Sequence, residues 1–168
     1  NTFNSDDHRV NQNVEASRYY RIVKVENTGK ATADDCQVVI DSISYKSNDN
    51  LQEIELLNVP QNIRWISSNN VKEDISTTCS RTFQLFQILP AIKEDNTKGI
   101  SEIPISLMIG DVVIKQEHIG GEYSLTIKIE AKNMKSVVLK PRIKWTGIWH
   151  NQKAEMEKVL VLSDNMLK

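Results

Sequence analysis

The sequence predicts an all-β fold, a sandwich of about eight or nine antiparallel strands formed by residues 18–168. Apolar and polar residues alternate with a period of two in the segments 36–41 and 123–131, which is typical of strands with one buried face. Glycine, proline and asparagine separate such segments, and good helix formers are concentrated only at 151–158. A chain of this kind buries its apolar faces by packing two sheets together.

Length and charge agree with one small domain. The chain has 168 residues and a formal net charge of −1, which gives no overall attraction to nucleic acid or to a membrane surface. Residues 1–17 are polar without an apolar period, and we interpret them as a flexible lead-in. No run of about 18 apolar residues occurs, so the sequence predicts no transmembrane helix within this chain.

The first two predicted strands are 19–29 and 33–45, joined by a loop that begins at Asn27-Thr28-Gly29. Asn27 and Gly29 are residue types that tolerate positive φ, so we expect the chain to turn there. The second strand directs Cys36, Val38 and Ile40 towards the core.

The middle of the chain contains shorter elements. Residues 51–59 suit either a short strand or a helical turn that ends at Pro60. We further predict a short strand at 62–66, an edge piece at 73–76, a central strand at 81–89 and a long loop at 93–104.

The last third contains the clearest alternation. Strands are predicted at 105–109 and 112–115 around a tight turn at Gly110-Asp111, and then at 123–131. The strand at 137–145 includes Pro141, which has no N–H to donate and therefore requires a sheet edge or a bulge. The tail predicts a helical turn at 151–158 followed by a short strand.

Three positions make the predicted sandwich similar to an immunoglobulin domain. Cys36 lies inward on the second strand, Trp65 follows on a short strand, and Tyr123 opens the longest strand as a tyrosine corner does. Leu125 occupies the position of the second disulfide cysteine. We therefore expect an immunoglobulin-like sandwich that lacks the inter-sheet disulfide.

The chain also resembles a group of uncharacterised bacterial and archaeal immunoglobulin-like β-sandwich domains over most of residues 19–149. In several such proteins the domain follows transmembrane segments, so the resemblance implies a membrane tether outside this chain. The motifs are structural and none marks a catalytic site. The segments that carry the resemblance are 25–29, 33–36, 64–65, 121–125 and 143–147.

The sequence predicts no metal site and no cofactor. His8, His118 and His150 are widely separated, and none has a His or Cys at ligand spacing. The pairs at 6–7 and 34–35, with Asp41, lack the pattern of a calcium loop, so we interpret them as solvated aspartates.

No hydrolase or phosphate-loop motif occurs, so we predict a protein without enzymatic activity. Burial on an apolar strand face raises the pKa of a thiol, which makes Cys36 a poor nucleophile. Cys79 lies among Thr and Ser in a predicted loop. We expect the two cysteines not to be bonded to each other, which is compatible with a reducing cytoplasm.

A local excess of basic residues occupies 135–153, with no acidic residue within it. The basic stripe, which we define as Lys140, Arg142, Lys144 and Trp149, has two interpretations. It is either an ordinary solvated face or a surface for phosphates or an acidic partner.

The leading hypothesis is a non-catalytic module for protein interaction or structural support, with a partner protein that the sequence does not identify. The alternative is a polyanion or nucleic-acid binding domain that uses the stripe, although we expect no nucleic-acid binding at physiological salt. The sequence does not predict the oligomeric state.

Overall fold

The computed structural model describes residues 18–50, 52–96 and 99–164, and the lead-in predicted for residues 1–17 lies outside them. One α-helix, α1 (Lys153–Val159), and one short 3₁₀ helix at Gln116–His118 occur in this part of the chain. The strands are β1 (Tyr19–Glu26), β2 (Ala33–Lys46), β3 (Glu53–Leu57), β4 (Gln61–Ile63), β5 (Lys72–Ile75), β6 (Ser80–Leu89), β7 (Ile92–Asn96), β8 (Gly99–Ile103), β9 (Ser106–Ile109), β10 (Val112–Val113), β11 (Gly121–Ala131), β12 (Met134–Leu139), β13 (Pro141–Trp145) and β14 (Leu160–Asp164).

The strands form two antiparallel sheets and a separate hairpin. The smaller sheet has the order β1-β6-β9-β10. The larger sheet has the order β14-β13-β11-β2-β3; β12 also pairs with β11, and β4 and β5 also pair with β2. The all-β, sandwich-like architecture expected from the sequence is therefore confirmed.

Fourteen strands are described, where the sequence predicted eight or nine. Most of the excess arises because several short strands follow one another along the same side of one long strand. We call each such position in the strand order of a sheet a lane. β3, β4 and β5 share one side of β2, while β12 and β13 share one side of β11. Counted by lane, the larger sheet has five positions and the smaller one four.

Two predicted elements were wrong. The expected loop at 93–104 contains the hairpin of β7 and β8, paired from Ile92 with Ile103 to Asn96 with Gly99. The expected strand at 137–145 is divided at Lys140, and Pro141 begins β13. Because Pro lacks the N–H of a ladder residue, a strand boundary is a favourable place for it. Of the two alternatives for 51–59, the strand is confirmed, since Glu53–Leu57 forms β3. The helical turn before a final strand is also confirmed. No described helix is long and apolar enough to cross a membrane.

The inward side chains of both sheets form one continuous core. Val38, Ile40 and Ile43 of β2 are fully buried, as are Phe83 and Phe86 of β6. The predicted burial of Cys36, Trp65 and Tyr123 is also confirmed. The alternation read from the sequence therefore identified the core-facing sides of β2 and β11 correctly.

Asn27 follows β1 and is the buried polar residue of the described core. The chain turns after β1 as expected, although neither Asn27 nor Gly29 adopts a positive φ. Instead, Asn27 Nδ2 donates hydrogen bonds to the carbonyls of Ala31 (2.8 Å) and Ile75 (2.7 Å), and its Oδ1 accepts one from the Gly29 amide. Its backbone N–H donates to the carbonyl of Cys79. Asn27 thus joins the loop after β1 to the loop after β5.

Trp65 connects the two sheets. It lies just after β4 and forms an isolated bridge with Phe83 of β6, so it is not part of the short strand predicted at 62–66. Its indole Nε1 donates to the carbonyl of Cys36 on β2 at 3.2 Å, and its ring meets the Phe83 ring edge-on. One fully buried side chain therefore touches a strand of each sheet.

We expect Asn27→Ala to lower the free energy of unfolding by about 1–3 kcal/mol, because the buried carbonyl of Ile75 loses its donor. Denaturant unfolding followed by tryptophan fluorescence measures the change. Asn58→Ala is the matched control, since Asn58 is exposed on a loop. Equal stability of the two variants would contradict the role assigned to Asn27.

Trp65→Ala should cost about 3–5 kcal/mol, the usual range for removing a large buried aromatic side chain. Trp65→Phe keeps a ring but removes the donor to the Cys36 carbonyl, and we expect the smaller loss of about 1–3 kcal/mol. Urea titration of both variants, followed by circular dichroism, tests this order. An alanine variant as stable as the wild type would place Trp65 outside the core.

Candidate functional site

The basic stripe predicted from sequence is only partly assembled. Arg142 and Lys144 point outward from β13, while Ile143 and Trp145 are buried on its other face. Lys140 is exposed at the break between β12 and β13. These three cations therefore follow one another along a single lane of the larger sheet.

Trp149 lies apart from this lane. It is half-buried beside Tyr19 and Met156, and its indole Nε1 donates to Asn151 Oδ1 at 2.8 Å. The sequence placed Trp149 within the stripe because it follows Trp145 closely in the chain. Since β13 ends at Trp145, the connection to α1 directs Trp149 away from the outer face of the sheet.

The larger sheet carries a groove of about 740 Å³ on its outer face. Strands β2, β3, β11 and β13, with the end of β12, contribute to it. Its lining is Ser42, Ser44, Glu53, Ser124, Leu125, Thr126, Val138, Lys140 and Arg142. Volumes of this size are typical of sites that bind small molecules.

Four hydroxyl residues form the floor of the groove. Ser124 lies directly opposite Ser44 in the pairing of β11 with β2, and Thr126 lies opposite Ser42. The Ser44 hydroxyl donates to the carboxylate of Glu53 on β3. Among the residues that the structure describes, the hydroxyls of Ser42, Ser124 and Thr126 have no assigned protein partner, so they are available to a ligand.

A β-bulge in β2 produces this arrangement. Thr126 pairs with Ser42 but Ile127 pairs with Ile40, so Asp41 is the extra residue. The bulge lets Asp41 and Ser42 both avoid the core while Ile40 and Ile43 remain fully buried. Asp41 bonds to Lys128 of β11 at 2.8 Å, and this hydrogen bond raises the pKa of the Lys128 ammonium.

Opposite charges line the two sides of the groove. Arg142 and Lys140 lie on one side, and Glu53 lies on the other. Arg142 makes a long contact of 3.6 Å with Glu122, and Lys140 makes no ion pair within the described residues. Exposed pairs of this kind contribute little to stability, so the cations can exchange such contacts for a ligand at small cost.

The aspartates considered for calcium are engaged elsewhere. Asp35 forms an ion pair with Lys132, whose ammonium holds the pKa of that carboxyl below its usual value. Asp41 is paired with Lys128, as described above. Over residues 18–50, 52–96 and 99–164, no cluster of three or more metal-binding side chains occurs.

The histidines have separate surroundings. The His118 ring lies 5.0 Å from the Tyr45 ring, and its backbone carbonyl accepts a hydrogen bond from Tyr123. His150 lies near α1, where its backbone N–H contacts the sulfur of Met156. His8 and the pair at 6–7 lie outside the described residues.

The two cysteines are free thiols in different environments. Cys36 is buried, and burial raises the pKa of its thiol to about 11. It borders a mostly apolar pocket of about 170 Å³ at the Asn27 end of the sandwich. Cys79 is exposed in the loop before β6, as the sequence predicted.

No protein-family model matches this chain and no curated protein sequence matches it, so no residue role can be transferred from a relative.

The groove was not predicted, although part of its signal was present in the sequence. Ser124 and Thr126 occupy the outward positions of the most regular predicted strand. Their partners Ser42 and Ser44 could be found only with the register of β2 against β11, which the bulge displaces by one residue. Outward Ser and Thr side chains on two neighbouring central strands are the feature that indicates such a floor.

We expect one thiol to react with a chromogenic disulfide reagent in the native protein and two after denaturation. Cys79 is exposed, whereas Cys36 is buried and its raised pKa keeps it protonated at mildly alkaline pH. Absorbance of the released thiolate counts the reactive groups. The Cys79→Ser variant should show none until it is unfolded, and a rapidly reacting native thiol in that variant would contradict the burial of Cys36.

Proposed function

We propose that this chain is a non-catalytic, immunoglobulin-like module for protein interaction, and that its outer groove binds an extended acidic segment of a partner protein. The observation that carries the proposal is the groove itself. Three hydroxyls without assigned partners and two basic side chains converge there on the central strands of the larger sheet. Carboxylates accept hydrogen bonds from hydroxyls and pair with Arg and Lys, so their chemistry matches this surface.

The immunoglobulin-like assignment is supported by the surroundings of two side chains. The Tyr123 hydroxyl, near the start of β11, donates to the carbonyl of His118 five residues upstream, as in a tyrosine corner. Trp65 packs between the sheets and bonds to the backbone of Cys36. In one respect the sheet order departs from an immunoglobulin domain: Cys36 and Leu125, the positions of the inter-sheet disulfide, lie on the paired strands β2 and β11 of one sheet.

A non-catalytic role is supported by the environment of the groove hydroxyls. A nucleophilic Ser or Thr requires an adjacent base that is itself held in position by a third group. Ser44 donates to Glu53, but no histidine lines the groove. Cys36 is no better a nucleophile, because burial raises the pKa of its thiol.

The alternative, binding of a nucleic acid or another polyanion, finds less support. Lys144 lies opposite Glu122 in the pairing of β13 with β11, and Arg142 contacts the same carboxylate. A polyanion track needs consecutive cations without intervening carboxylates.

The test is binding of a fluorescein-labelled peptide of alternating Glu and Ser, measured by fluorescence anisotropy at low and at physiological salt. We expect Lys140→Glu combined with Arg142→Glu to weaken binding by at least about tenfold, because both cations face the acidic groups. Lys24→Glu combined with Lys115→Glu makes the same change in net charge outside the groove and should leave the affinity near that of the wild type.

Equal losses in the two double variants would reject the groove and indicate a nonspecific charge effect. Salt-sensitive binding of duplex DNA that is abolished by Arg142→Glu with Lys144→Glu would instead favour the polyanion alternative. Circular dichroism of each variant ensures that a loss of binding is not a loss of fold.

A further inference from the structure

Outward side chains of the larger sheet are arranged in rows that cross the strands. In antiparallel pairing, directly opposite residues project from the same face and are close neighbours. One such row contains, in order across β13, β11, β2 and β3, the residues Lys144, Glu122, Lys46 and Glu53. The signs of its charges alternate, so each charge in the row has an opposite charge at the neighbouring position.

The next row along the strands differs. It contains Arg142, Ser124, Ser44 and Glu55 in the same order across the sheet. Two hydroxyl residues therefore separate its positive end from its negative end. Three strand spacings of about 4.8 Å place these ends about 14 Å apart, which exceeds the screening length of about 8 Å at physiological salt. The two ends of this row cannot neutralise each other.

The groove lies along this second row: Arg142, Ser124 and Ser44 line it, and Glu55, opposite Ser44, lies just outside the lining. Lys140 adds a second cation to the positive side. Glu53, which also ends the first row opposite Lys46, accepts the hydrogen bond of the Ser44 hydroxyl and adds a second carboxylate to the negative side. Glu55 is exposed and makes no ion pair in the part of the chain that the structure describes. The hydroxyls of Ser42, Ser124 and Thr126 occupy the space between the two sides.

From this arrangement we infer that the ligand is dipolar: an extended peptide segment that crosses the strands, with an acidic side chain over Lys140 and Arg142 and a basic one over Glu53 and Glu55. The inference rests on the function proposed above and adds the second, cationic end of the ligand. A surface with separated charges of opposite sign selects a partner with the complementary separation.

The geometry also specifies the spacing of the two ligand residues. An extended peptide advances about 3.3 Å per residue, so residues i and i+4 are about 13 Å apart. Their side chains project from the same face of the peptide, as does that of residue i+2. An acidic residue at i and a basic residue at i+4 therefore match the two sides of the groove, and a small polar residue at i+2 faces its hydroxyl floor.

Three fluorescein-labelled peptides test the inference by anisotropy at physiological salt. The first has Glu and Lys four residues apart with Ser and Thr between them, and the second has the same composition with Glu and Lys three residues apart. The third is the acidic peptide of Glu and Ser used above. We expect the first peptide to bind at least about tenfold more tightly than either of the others.

Charge reversal of the negative side provides the decisive comparison. Glu53→Lys combined with Glu55→Lys should weaken the first peptide by at least about tenfold and should leave the acidic peptide bound as tightly or more tightly. Glu53→Gln with Glu55→Gln removes the charges without reversing them. This variant should also bind the first peptide more weakly than the wild type, but the loss of affinity should be smaller. Because both glutamates are exposed, circular dichroism should be unchanged.

The outcomes separate the inference from the proposed function. If the acidic peptide binds as tightly as the first peptide, or if the two Glu/Lys spacings bind equally, the dipolar ligand is rejected while the acidic-segment function stands. If none of the three peptides binds the wild-type chain, both are rejected. Tighter binding of the first peptide, lost on reversal of Glu53 and Glu55, supports both.

Discussion

The pairing of β2 with β11 is the interaction on which the rest of the structure depends. It extends from Glu122 opposite Lys46 to Glu130 opposite Gln37. Strands β12 and β13 pair with β11, strands β3, β4 and β5 pair with β2, and β14 is added outside β13. The inward residues of both strands form much of the core, and the outward ones form the groove floor. One ladder therefore sets both the stability of the sandwich and the geometry of its candidate site. The bulge at Asp41 contributes to both the stability and the site geometry, because it preserves burial of Ile40 and Ile43 and brings Ser42 opposite Thr126.

Hydrogen bonds from two different buried side chains fix the structure at the two ends of β2. At its start, the Asn27 amide group donates to the carbonyl of Ala31 in the loop after β1 and to that of Ile75, the last residue of β5. At its end, the Tyr45 hydroxyl donates to the carbonyl of Gly120, and the Tyr45 ring packs 5.3 Å from that of Tyr123. Gly121 makes this possible, because it has a φ of +145° and a Cβ there would lie 2.6 Å from the Tyr45 ring. Buried polar groups at both ends are thus hydrogen-bonded, as a low-dielectric interior requires.

How much of this structure the sequence could predict depends on the range of the interactions involved. Alternation along β11 is local, so the strand and its buried face were predicted correctly. Register is not local: the placement of Ser44 opposite Ser124, or of Trp65 against Phe83, depends on residues far apart in the chain. The hairpin of β7 and β8 was missed because its glycine and charged residues are equally typical of a loop. The sequence therefore shows the outward hydroxyl residues that form half of the groove, but it does not show how the strands bring them together.

The position of the groove on central strands has a consequence for binding. A side chain on a strand paired along both sides has a backbone that is already ordered, so a ligand does not bear the entropy of fixing it. Short hydroxyl side chains add little rotamer entropy, whereas Lys140 and Arg142 must be immobilised at a greater cost. Specificity should therefore come mainly from the fixed floor and from the separation of the two charged sides, and affinity should be moderate. A charge in the ligand that is displaced by one residue projects from the opposite face of the peptide, so the groove discriminates by position along the partner as well as by charge.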